Sequence, residues 1–215
     1  MRRSLLLAAA AVLILACPVQ AQAPNAATAG LSPERQAREA KIAEEAIGLF
    51  KDICLDRYPD EAAVETFTKG RQAKAMTADE VRVYLNADPG HGWHLTTPLG
   101  LYAVTIEEPP VRACAVRRMT PSGLSTASGY LASITAFAKD HDLTVAPTMQ
   151  QKAAMGGLDV TAFASVMTTR AGAPAEQMIL FLSNYHGRPP AYFAKDAEGG
   201  VGVEVRLVRQ PIAPR

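Results

Sequence analysis

Four histidines and a handful of acids, hydroxyls and cysteines carry whatever chemistry this 215-residue chain can perform. The densest group is His91-Gly92-Trp93-His94, with Asp88 close by. Imidazoles and a carboxylate are donors that zinc or copper accepts. Gly90 and Gly92, however, read as a loop, and the segment offers no third fixed ligand. Both histidines are therefore expected to flank Trp93 in solvent, with the indole anchored in the core and no metal bound. A metal-binding protein acting through His91 and His94 is one alternative function.

Gly123-Leu124-Ser125-Thr126-Ala127 resembles a nucleophile elbow, with Ala in place of the last Gly. Ser125 would need His141 or His186 as base and an acid such as Asp142. An elbow turns directly from strand into helix, whereas Met119-Thr120-Pro121-Ser122 intervenes here. The segment reads better as a helix start rich in capping residues, so no catalytic residue is assigned. An envelope hydrolase using Ser125 with a histidine is the second alternative. Asn184-Tyr185-His186-Gly187-Arg188 leaves a strand end, where such side chains can line a pocket. With Trp93, the residues Tyr185, His186 and Arg188 form the candidate ligand-binding set. Gly199-Gly200-Val201-Gly202 lacks the spacing and following helix of a phosphate loop, and no cofactor is expected. Arg112, Arg117 and Arg118 read as a solvated strand edge.

These side chains are to be positioned outside the cytoplasm. Residues 1–21 read as a signal peptide: Arg2 and Arg3, an apolar run from Leu5 to Ala16, then Val19-Gln20-Ala21 as a cleavage pattern. The run is too short to span a hydrocarbon core of about 30 Å. Ile14-Leu15-Ala16-Cys17 resembles a lipobox, although Leu15 is bulky for it and Pro18 follows the cysteine. Lipidation at Cys17 would tether the protein, and only then is a membrane a partner. The preferred expectation is cleavage after Ala21 and a periplasmic or secreted chain. Cys54 and Cys114 then remain, and in an oxidising compartment they are expected to pair.

Without Arg2 and Arg3 the chain holds 20 basic and 21 acidic residues. That balance argues against nucleic acid, which demands a basic excess. Residues 22–31 read as a flexible leader, 32–210 as one α+β domain and 211–215 as a loose tail. Ser32-Pro33-Glu34 starts an amphipathic helix that ends near Leu55, with Cys54 on its buried stripe. Pro59-Asp60-Glu61 opens a second helix, stopped by Gly70. Thr77-Ala78-Asp79-Glu80 is a capping box for a third. A fourth is expected from Thr120-Pro121 to about Asp142. Strands are expected at Leu101–Ile106, Ala113–Arg118, Asp159–Thr169, Gln177–Asn184 and Val201–Val208, with a short one at Leu143–Ala146. Alternation points Cys114 inward, and the two-sided apolar run in Gln177–Leu182 places that strand inside the sheet.

The expected architecture is a mainly antiparallel sheet of about five strands packed against two or more helices. The layout resembles that of small bacterial envelope proteins. The function expected is a non-enzymatic envelope protein, either an interaction module or a small-ligand binder, its partner an envelope protein or a small molecule.

Overall fold

Ser32 caps the first helix by accepting from the Arg35 backbone N–H, and Pro33 occupies the first helical position, where its missing N–H costs nothing. The computed structural model describes residues 32–124, 126–186 and 200–212. The expected signal peptide, the leader, Cys17, Ser125, Arg188 and the end of the tail lie outside them. Helix α1 runs Pro33–Phe50 and continues as a wider π turn over Lys51–Leu55. The wider turn brings three successive residues, Ile53, Cys54 and Leu55, into the core. Helix α2 is Glu61–Gly70, capped by Asp60, and α3 is Ala78–Leu85, with the Thr77–Glu80 capping box formed. Helix α4 is Ser128–Asp140.

The strands are β1 Lys74–Ala75, β2 Gly90–Thr97, β3 Gly100–Glu107, β4 Ala113–Thr120, β5 Leu143–Met155, β6 Leu158–Thr169, β7 Pro174–Tyr185 and β8 Val201–Pro211. They make one sheet in the order β1-β2-β3-β4-β8-β7-β6-β5, with every pairing antiparallel. Two meanders are joined where β8 returns beside β4. The α+β class expected from sequence holds, but the sheet has eight strands rather than about five.

The miscount has local causes. Segment 90–97 is a strand, not a loop. Its glycines answer close packing: a Cβ on Gly90 would lie 2.2 Å from the Ile106 carbonyl oxygen and 2.5 Å from Leu85. A Cβ on Gly92 would sit 2.7 Å from the Val104 carbonyl oxygen. Strand β5 continues nine residues past Ala146. Only Leu143 and Val145 of that strand pack on the core, and beyond them both faces are exposed, so no alternation marks the continuation. Helix α4 begins eight residues later than expected, because Thr120 still belongs to β4 and Gly123, with φ of +77°, turns the chain between them.

Helices α1 and α4 and the π turn pack on one face of the sheet. Their core partners include Trp93, Val104, Cys114, Leu180 and Leu207. Gly129 lets α4 approach α1 closely, since a Cβ there would meet Ile47 at 2.3 Å. Helix α3 covers the other face, over β2 and β3. Cys54 and Cys114 are joined by a disulfide, with Cα atoms 5.4 Å apart, inside the normal range.

Candidate functional site

The end of β4 places Arg118 on the helix-covered face, because its register partner there is Val203. Arg117, one residue earlier, faces the other way. Neither is a solvated edge residue. They are 4 % and 7 % exposed, and β4 is an interior strand. Beyond Thr120 the chain passes through residues 121–127 before entering α4. Gly123 donates to Thr120 Oγ1 at 2.7 Å, and Leu124 N–H donates to Asn184 Oδ1 at 2.7 Å. These bonds hold the loop against the end of β7 and leave a gap beneath α1.

The gap is a cavity of about 290 Å³. Ala43, Ala46 and Ile47 of α1 and Leu124 of the loop make its apolar wall, and its polar groups include Arg118, Tyr130, Thr120 and, on α1, Gln36 and Glu39. At about 30 Å³ per water it holds roughly ten molecules. Apolar walls with a few fixed polar groups are the usual form of a small-molecule site. At the rim Ser122 donates to Glu39 Oε2 at 2.9 Å. Arg118 donates to the carbonyls of Met119 (2.9 Å) and Leu99 (3.2 Å) and to the Tyr102 hydroxyl (2.7 Å). Tyr102 in turn donates to Glu45 Oε2 at 2.8 Å. Burial pushes the Tyr102 and Tyr130 phenols well above their ordinary pKa, so both stay neutral donors.

The residues singled out from sequence are scattered instead. Trp93 is buried on β2, where its ring packs edge-on against His91 at 4.9 Å between centroids. Tyr185 and His186 lie at the end of β7, four strand spacings away, roughly 19 Å along the sheet. His186 Nε2 is 2.9 Å from Asp159 Oδ2 in an exposed pair. The candidate set is thus not brought together, and Arg188 is outside the described residues.

His91 and His94 are three residues apart on a strand, which puts them on opposite faces. They cannot share one ion. Their side chains are 34 % and 16 % exposed rather than free in solvent. His91 groups with Glu61 and Glu108, whose ligand atoms all lie within 4.8 Å of one another, but Glu61 is exposed and such surface groups are common without an ion. On the other face His94 Nε2 is 3.3 Å from Glu80 Oε1, and its Nδ1 is buried with no partner among the described residues. His141 and Asp142 follow the far end of α4, about 20 Å from Ser128 along the helix.

The cavity was not legible in the sequence, and Arg118, expected on a solvated edge, is buried against it. The available signal was two successive arginines in an apolar strand: one must point to each face, and in an interior strand both need partners. Compared with known protein families, curated proteins and solved structures, the chain matches none.

Proposed function

We propose that this protein is an exported, non-catalytic binder of a small, largely apolar molecule, held between α1, α4 and the end of β4. The observation that carries the reading is the 290 Å³ cavity, open enough to admit a ligand and walled by alanines and aliphatic side chains. Ser122 and Glu39 are tied to each other, Arg118 is held by backbone carbonyls, and among the described residues no histidine or cysteine lines the cavity. Export is supported by the Arg2-Arg3 apolar leader and by the Cys54–Cys114 disulfide, which persists in an oxidising compartment. Among the described residues no helix is long and apolar enough to cross a membrane.

The test uses indole, a neutral probe of matching size, followed by saturation-transfer NMR. The protein should bind it saturably, and Ala43→Trp, which fills the cavity from an exposed position on α1, should weaken binding at least tenfold with the circular dichroism unchanged. Equal binding by wild type and Ala43→Trp, or no binding by wild type, would overturn the assignment of this cavity.

A further inference from the structure

The sheet carries four arginines that are buried or half-buried. Three are clamped to carboxylates. Arg117 pairs with Glu204, Arg206 with Glu107, and Arg209 with Glu176 through two bonds of 2.7 and 3.0 Å. The fourth, Arg118, touches no carboxylate among the described residues. Its hydrogen bonds go to two carbonyls and a phenol, all neutral, and Glu45 reaches it only through the Tyr102 hydroxyl. Arg118 is also the one of the four that lines the cavity.

A guanidinium has five N–H donors, and three of them are engaged here, leaving one on each terminal nitrogen. A buried guanidinium whose nearest carboxylate, Glu45, is held off by the Tyr102 hydroxyl gains when an anion meets its free N–H groups directly. A second donor points the same way. Tyr130 is 2 % exposed and lines the same cavity, and among the described residues its hydroxyl has no hydrogen-bond partner. Glu39, on the α1 wall, repels a second negative group, so the charge belongs at one end of the ligand.

We infer that the cavity takes a small organic monoanion: a carboxylate that meets Arg118 and the Tyr130 hydroxyl, on a short apolar body that fills the space against α1. This rests on the binder reading above and names its ligand class. The carboxylate completes the pairing that Arg117, Arg206 and Arg209 obtain from within the sheet. The fork geometry of arginine suits two parallel bonds to one carboxylate.

Octanoate and 1-octanol separate the two ideas, since they share a chain and differ in charge. Isothermal titration at pH 7 should give octanoate an affinity about ten- to a hundredfold above that of octanol, the worth of a charge-assisted hydrogen bond. Arg118→Gln should bring octanoate down to the level at which octanol binds. Should that variant fail to fold, the wild type still decides: affinity for octanoate falls as pH is lowered through the ligand's own ionisation, and that for octanol does not follow it. Octanol bound as tightly as octanoate would overturn the anion inference and leave the binder reading standing. Neither ligand binding would overturn both.

Discussion

His94 shows how much one side chain depends on which face of a strand it takes. On the α3 side of β2 its ring is packed near Tyr84, with centroids 6.4 Å apart, and it reaches Glu80. Glu80 itself closes the α3 capping box: the Thr77 backbone N–H donates to Oε2 at 2.9 Å and the Thr77 hydroxyl at 3.1 Å. These bonds, the backbone one first, pull the Glu80 carboxyl down to a pKa of about 2. A carboxyl lowered in the folded state contributes stability that is present above its unfolded value near 4.5 and is lost as pH falls toward 2. Glu107 runs the other way. Burial, ahead of its other causes, raises its pKa, so its contribution is present below the unfolded value and lost as pH rises through the folded one. Comparing wild type with Glu80→Gln cancels Glu107. The expected outcome is a gap in Tm between the two proteins that is widest above pH 5 and closes by about pH 2, read by thermal melts. A gap independent of pH would refute the role given to Glu80.

The junction of α1 and the sheet is the element that ties the two layers together. The π turn carries Asp56 N–H to the Lys51 carbonyl and Tyr58 N–H to the Ile53 carbonyl, each at 2.9 Å, and so aims Cys54 at β4. Cys114 is the register partner of Leu207 on β8 and of Ile106 on β3, so the disulfide anchors the helix layer to the middle of the sheet. Closing a 60-residue separation stabilises by about 4 kcal/mol in the chain-entropy model, less any native strain. Cys54→Ala with Cys114→Ala should therefore cost about 2–4 kcal/mol in denaturant unfolding, with the denaturant dependence of a folded protein retained. A loss below about 0.5 kcal/mol would show that the bridge adds nothing to the packing of Phe50, Ile53 and Leu55.

Across the whole molecule the two meanders differ in how much holds them. Strands β8 and β7 are interior, paired on both sides and packed through Leu207, Val205, Leu180 and Met178. Strand β5 is an edge, and from Ala146 to Met155 its side chains are exposed, Met155 at 74 %. Local opening should follow that gradient. Native-state hydrogen exchange is expected to be fastest in residues 149–155 and slowest in β7 and β8, and equal protection of the two regions would contradict it. The same contrast separates what could be read from the chain alone. Caps and turns are settled within four residues, so the Ser32 and Thr77 starts, the Gly70 stop and the interior position of β7 were legible. The disulfide was too, because the helix period at Cys54 and the strand period at Cys114 both pointed inward. Tertiary structure decided the rest. Whether Gly90 and Gly92 mark a loop or a tight crossing depends on Leu85 and Ile106 lying against them. Whether Arg118 is solvated depends on β8 pairing with β4 more than 80 residues later in the chain. The cavity belongs to no segment at all: it is the space left where Gly129 sets α4 against α1 and the loop at 121–124 is held to Asn184. Short-range hydrogen bonds and periodicity are written in neighbouring residues, whereas a void and a buried guanidinium facing it exist only once distant elements have packed.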